Sequence, residues 1–471
     1  MARQHQFLAS FLVNALALVA GAYQIAPSII LPSLLVNSHD SPQITLEEGS
    51  CIASMSMLGA VFGSMLCGWL VDVIGRKKCL IFDCVLYFIS VYLQSWSFSA
   101  ARISAGRFII GWLLVSGRIS IHPFVAEIST PENRVFTSNG YMLMFSIGMT
   151  IINLCGALLN WRIACSIPLI FVLIAFIGLQ FIHESPHWLI QKGEYSKALD
   201  SFMYYGRTKD EAQFEFLEYK DEYESKVRDA HGSKKPKDIP LMQKWSHNLR
   251  RWKEPGFYKP LIYLCIYGSL IELSSMVTIV TYMVIIFQKT GSPFDPYFAS
   301  TLICFIRIFA TLIGTKLMHQ IPKRDLFVAV GSFTVVVLAS LGFFCWISSP
   351  EEKERFACIP LILISLIFVG FSLGYGTIFH CLMGELFLPG LKSLSSAIVY
   401  SCVLGTSFVI VKYSLSLIEL LEIHGLFWLF AGVASITTLH GWLFMPETTG
   451  KSLQEILKYY SCDKSPKATR V

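Results

Sequence analysis

Two glutamates in this chain are each followed seven residues later by a cation: Glu127 by Arg134, and Glu385 by Lys392. Each pair stands just beyond an apolar run, where a water-exposed helix end can be closed reversibly by charge. A single surface pair of this kind contributes only about 0–1 kcal/mol, so several together are needed to hold a closed state. Three more ionisable residues lie inside apolar runs: Arg118, Glu272 and His380. An unpaired ionisable group in such a run costs several kcal/mol, so each is a functional residue by default. Arg118 and Glu272 either line a solute path or pair with one another. His380 alone is as readily a packed core residue, and Arg307 and Lys412 can snorkel or plug gaps between helices. No nucleophile–base arrangement, metal-ligand spacing or phosphate loop is visible. The sequence therefore predicts no enzyme, no bound metal and no cofactor.

The elements that position these residues follow from composition. The chain has 471 residues, 54% of them hydrophobic and only 15% charged, against roughly 25% charged in soluble proteins. Mean hydropathy is +0.56. These values exclude a disordered chain and an ordinary soluble enzyme; the partner surface is the lipid bilayer. The net charge of +6 comes from Lys and Arg placed between apolar runs. They form no face of their own, and nucleic acid is not an expected partner. Most of the thirteen cysteines, Cys67, Cys155, Cys265, Cys304 and Cys402 among them, lie singly inside apolar runs and read as small packing residues.

Apolar stretches of helix length predict twelve membrane spans: 7–31, 50–72, 79–99, 103–125, 137–159, 163–182, 259–287, 297–318, 326–349, 357–381, 394–417 and 425–445. Span 1 begins too near Met1 and runs too long for a cleaved signal peptide. Basic residues fill the gaps after spans 2, 6 and 8, whereas the gap after span 1 has Asp40, Glu47 and Glu48 and no Lys or Arg. Even-numbered gaps and both termini are thus expected in the cytoplasm, with the basic 451–470 tail in keeping. No Asn-x-Ser/Thr sequon occurs. The implied division is a six-span bundle at 1–182, a cytoplasmic linker at 183–258, a second six-span bundle at 259–447 and a cytoplasmic tail at 448–471. Within the linker, 209–227 is acidic and helix-compatible, and Gly232 to Lys237 breaks it.

Landmarks repeat in register between the halves. Gly75-Arg76-Lys77 follows span 2 and Pro322-Lys323-Arg324 follows span 8. Glu127 follows span 4 and Glu385 span 10. Glu184-Ser185-Pro186 closes span 6, and Pro446-Glu447-Thr448 closes span 12.

With Asp72-Val73-Ile74-Gly75-Arg76-Lys77, Gly106-Arg107-Phe108, Glu184-Ser185-Pro186-His187-Trp188-Leu189, Glu385-Leu386-Phe387 and Pro446-Glu447-Thr448-Thr449-Gly450-Lys451, the chain resembles the major facilitator superfamily. Within it, the chain is similar to the sugar porters, notably insect facilitative trehalose and hexose carriers. The resemblance implies an all-α polytopic fold of two six-helix bundles around a central cavity, working by alternating access in the plasma membrane. It implies a cytoplasmic gate built from Asp72, Gly75, Arg76, Arg107, Glu127, Arg134 and Glu184, facing Lys323, Arg324, Lys392, Glu385 and Glu447. It also implies that spans 1, 4, 7 and 10 line the cavity, so that Arg118, Glu272 and His380 face a solute. Met142 falls at the span-5 glutamine position of the family, and Tyr282 lies in the matching span-7 stretch. The family's span-7 glutamines and asparagine are here Ile271, Glu272 and Val277, and charges stand where the family is neutral. Span 1 has no acidic residue, which points to facilitated diffusion, with Glu272 as the only intramembrane carboxylate left for coupling. A sugar is the implied solute. A carrier of an organic anion or cation, and a non-transporting nutrient receptor of the same fold, are the alternatives. The sequence leaves the oligomeric state open.

Overall fold

The computed structural model of the protein describes residues 2–35, 44–130, 134–231, 255–291, 293–317, 320–387 and 392–449. Among the described residues there is no strand, and helices occupy every apolar run. Span 1 is Ala2–Ile25 with Pro27–Leu35; spans 2 to 5 are Leu46–Ile74, Arg76–Ser95, Ala100–Ile128 and Arg134–Leu158. Span 6 is Trp161–Ser166 with Leu169–Phe181, and span 7 is Pro255–Leu273 with Met276–Thr290. Spans 8 and 9 are Pro296–Leu317 and Lys323–Ile347. Span 10 runs from Cys358–Gly370 through a π-turn, Phe371–Tyr375, into Gly376–Glu385.

The remaining 53 residues, Lys392–Phe444, form one helical run. Straight, it would be about 80 Å long, against a hydrocarbon core of about 30 Å. It bends at Glu422, where φ is 57°, and returns. Thr448 meets Lys323 at the start of span 9, and Trp428 lies against Trp346 at the end of that span, ring centroids 5.9 Å apart. Among the described residues eleven helical stretches are long and apolar enough to cross a bilayer; this one crosses twice, giving spans 11 and 12 and twelve crossings among those residues.

The end of the molecule that carries the 183–231 helices is here termed the linker end, and the opposite end the far end. Three linker helices, Pro186–Lys192, Tyr195–Tyr204 and Lys209–His231, bury Trp188, Leu189, Phe202 and Phe216 among themselves. Arg207 bolts them to span 4 by donating to the carbonyls of Ile128 and Ser129 at the helix end. The breaker at 232–237, the basic tail and Asp40 lie outside the described residues.

Two local rules shape the spans. Only Gly75 separates span 2 from span 3, so the chain reverses within one residue at φ +100°, a conformation glycine adopts without a Cβ penalty. Spans 2 and 4 cross so closely that a Cβ on Gly59 would meet the carbonyl of Phe108, and one on Gly111 the carbonyl of Ser56. Small residues allow that approach, and van der Waals contact then holds the helices together in lipid.

Interruptions are concentrated in particular spans. Span 1 breaks ahead of Pro27, and span 4 contains Pro123. Span 7 breaks at Ser275, whose φ is 124°, and span 10 carries the π-turn. Freed backbone groups are tolerated at membrane depth only where protein or a water-filled cavity meets them.

Candidate functional site

At the linker end the same construction is built once in each half. In the first, the Glu184 carboxylate accepts the Lys77 N–H at 2.9 and 3.1 Å, capping the start of span 3. Arg76 reaches Glu127 at 3.4 Å and Asp72 at 3.7 Å, and Ser185 Oγ donates to Glu127. In the second, the Glu447 carboxylate accepts the Arg324 N–H at 3.1 Å, capping span 9. Lys323 Nζ reaches Glu385 at 2.6 and 2.8 Å and Thr448 Oγ1 at 3.1 Å. A carboxylate at a helix N-terminus meets unpaired N–H groups and the positive end of the dipole. Burial opposes the charge on Glu447, but hydrogen bonds from Thr449 and from the Arg324 and Lys323 backbone outweigh it. They hold the carboxyl below the usual carboxylate range.

These charges therefore tie the ends of three spans together within each half. The ion pairs described at this end, Arg76 with Asp72 and Glu127 and Lys323 with Glu385, each lie within one half. The side chains of Arg134 and Lys392 lie outside the described residues. Arg107 does not belong at this end at all. It is twenty residues from Glu127 on one helix, about 30 Å away. Its guanidinium donates to the Tyr23 carbonyl at 2.7 Å and to Ser56 Oγ at 2.8 Å, with 1% of the residue exposed. It is a staple between spans 1, 2 and 4.

Midway along the spans a second constellation bridges the halves. Arg118 of span 4 lies between two rings, Tyr141 of span 5 at 6.0 Å and Tyr400 of span 11 at 5.9 Å. A guanidinium over a ring face is attracted by its quadrupole. Tyr400 OH is 3.2 Å from His380 Nδ1, and the His122 ring lies tilted against Tyr141, centroids 4.4 Å apart. Glu272 lies three residues before the break at Ser275 in span 7, beside Ser407 of span 11. Of the five expected solute-facing residues, Arg118, Glu272 and His380 thus come together.

The other two do not. Met142 is partly buried against the main apolar core, to which Tyr141 itself belongs, and the residue beside Arg118 is Tyr141. Tyr282 is fully buried, and its hydroxyl donates to the Val411 carbonyl at 2.8 Å. The sequence reading also missed Asp83, a span-3 carboxylate 1% exposed that accepts from Ser116 Oγ of span 4 at 2.7 and 2.9 Å. Glu272 is therefore not the only intramembrane carboxylate. Asp83 lies inside the first half, on the side of span 4 facing span 3.

Other polar contacts join the halves from this level to the far end. Ser64 Oγ of span 2 is 2.6 Å from Ser401 Oγ of span 11. Asn153 of span 5 takes a bond from Ser28 and donates to Cys304 Sγ of span 8 at 3.2 Å. Lys412 of span 11 reaches Glu47 O, Ser50 Oγ and Cys51 Sγ at the start of span 2, at 3.3, 3.0 and 2.8 Å. Lys412 therefore ties span 11 to span 2.

Residues 17–460 match the model of the sugar (and other) transporter family. The chain is 25% identical over 457 residues to the facilitated trehalose transporter Tret1-2 homolog of Drosophila sechellia, covering 96% of this chain and 90% of that one. It is 25% identical over 461 residues to the facilitated trehalose transporter Tret1 of Aedes aegypti, covering 96% of this chain; the chain spans about half, 54%, of that relative's length. Among solved structures, the inward open conformation of the xylose transporter XylE from E. coli superposes with a TM-score of 0.77 at 16% identity, covering 96% and 99% of the two chains. The major facilitator superfamily proton:xylose symporter XylE bound to 6-bromo-6-deoxy-D-glucose gives 0.72 at 15%, covering 98% and 100%. The fold is that of the major facilitators, and the chain belongs to the sugar (and other) transporter family.

Proposed function

We propose that this family member is a plasma-membrane uniporter that moves a small polar organic solute of the sugar class by alternating access. The observation that carries the reading is the convergence of Arg118, Tyr141, Tyr400, His380 and Glu272, drawn from five spans of both halves, at mid-depth. Facilitated trehalose transporters among the relatives and the xylose transporter of like fold support a sugar-class solute. Lys/Arg placement supports a cytoplasmic linker end and cytoplasmic termini.

The mechanism follows from where the contacts lie. Asp72, Arg76, Glu127 and Glu184, and Lys323, Arg324, Glu385 and Glu447, make each half rigid at its cytoplasmic end; Gly75 supplies the tight turn. Rigid halves can rock about the central layer. Opening the far side requires Lys412 to leave span 2 and Asn153 to leave Cys304. Each tie is weak enough to break on cycling. With no carboxylate in span 1, transport runs down the solute gradient.

The test is uptake of labelled trehalose, hexoses, pentoses and organic ions by proteoliposomes carrying the full chain, with and without an imposed pH gradient. Saturable, gradient-independent uptake with trans-stimulation is expected. A protein that binds these solutes yet moves none of them would overturn the carrier reading.

A further inference from the structure

The charges at the centre do not balance. Arg307 stands in the middle of span 8, eleven residues after Pro296 and ten before Leu317. Its Nη1 points at Met149 Sδ of span 5, 3.0 Å away, and its buried Nε has no hydrogen-bond partner. A thioether is a weak acceptor, and no described ion pair includes either Arg307 or Arg118. Arg107 differs in its acceptors and its depth: its Nε is likewise unpartnered, but it is sealed from solvent and donates to oxygens at 2.7 and 2.8 Å. Arg118 and Arg307 are instead only half-buried.

Both guanidinium groups lie along one wall. Tyr141, Phe145 and Met149 recur every four residues on span 5, so they share a face. Tyr141 and Phe145 stack at 6.2 Å. Arg118 stands against the first of these residues and Arg307 against the last, eight positions or about 12 Å further toward the far end. Among the described residues the mid-span carboxylates are Glu272 of span 7 and Asp83 of span 3, and Asp83 is turned into the first half, against Ser116. Two fixed cations against one anion leave a formal charge of one, in a place where uncompensated charge is expensive.

We propose that the transported solute supplies the missing anion: a monocarboxylate on a small polyhydroxy body, held by Arg307 and handed along the Tyr141–Met149 wall to Arg118. The planar guanidinium fork matches a carboxylate with two parallel hydrogen bonds. The inference rests on the carrier reading above and narrows its substrate class from neutral sugars to sugar acids.

The test uses the full-length protein and four probes: D-gluconate, D-glucuronate, D-glucose and trehalose. In detergent, one of the two acids should raise the thermal midpoint, and neither neutral sugar should do so at the same concentration. In proteoliposomes an inside-positive potential, set with potassium and valinomycin, should accelerate uptake of that acid. Arg307→Gln should weaken binding of the acid at least tenfold, and Arg307→Lys should retain part of it. If Arg307→Gln does not fold, phenylglyoxal modification of the parent gives the same discrimination, because bound acid should protect Arg307. Uptake of neutral sugars with no binding of either acid overturns the anion assignment and leaves the carrier reading standing. Binding of an acid that is never transported supports the anion site and overturns the carrier reading instead.

Discussion

Whether the linker-end charges act within each half or between halves can be decided by two double-mutant cycles. Lys323 and Glu385 approach to 2.6 Å with side chains 8% and 31% exposed. At an effective dielectric of about 20, charges about 3 Å apart attract by roughly 5 kcal/mol. Desolvation of both groups offsets most of that, which leaves a coupling energy of about 1–3 kcal/mol, the range found for residues in contact. Glu127 and Lys323 belong to different halves and share no described partner, so their coupling should stay within about 0.5 kcal/mol of zero. The variants are Lys323→Met, Glu385→Gln and Glu127→Gln, with the two doubles, each unfolded by SDS titration in mixed micelles. The geometry requires strong coupling for Lys323 with Glu385 and additivity for Lys323 with Glu127. The reverse pattern would mean that the carboxylates and cations pair across the interface, and the intra-half staple would have to be abandoned.

Three further outcomes follow from single contacts. Ser64→Cys with Ser401→Cys places two thiols where hydroxyls now lie 2.6 Å apart; oxidation should cross-link spans 2 and 11 and arrest transport until a thiol reductant is added. A cross-link that forms without slowing transport would show that this contact is kept through the cycle. Arg107→Ala should lower stability by about 2–3 kcal/mol, since two hydrogen bonds from a buried charge are lost; a variant with normal stability and altered turnover would return Arg107 to the gate. Because its hydrogen bonds hold Glu447 below the usual carboxylate range, its contribution is present above about pH 4.3 and fades as pH falls through the lower folded value. Glu447→Gln should flatten that part of the parent's pH–stability profile, and an identical profile would refute the cap.

The spans were legible because one physical demand, about 20 apolar residues per crossing, writes itself into every one of them. The linker-end residues were legible for a related reason. Glu184 and Glu447 each follow the last span of a half, and the turn residues before spans 3 and 9 recur in step, so order along the chain stands in for position in space. Partner choice was less legible. A charge at a helix end can turn inward to its own bundle or outward to the other, and residue spacing is the same in both cases. Arg107 shows the cost of reading a motif without its depth, since a count of twenty residues to Glu127 already separates it from the gate.

The centre was harder for another reason. In a span apolar all round, periodicity does not say which face looks inward, so Met142 and Tyr141 are indistinguishable by pattern, and only packing sets Tyr141 against Arg118. Tyr400 and Ser407 carry no charge to draw attention, yet they complete the surroundings of Arg118 and Glu272 from span 11. Asp83 stood in plain sight within span 3, where one hydroxyl from span 4 satisfies it. Arg307 was visible too, and was read as filling a gap. What changes its meaning is the comparison with Arg107 in the same protein: Arg107 donates to two oxygens, whereas the described side-chain hydrogen bond of Arg307 goes to sulfur. A membrane protein that keeps a cation unsatisfied at mid-depth needs something to satisfy it, and a solute that arrives and leaves can do so in turn.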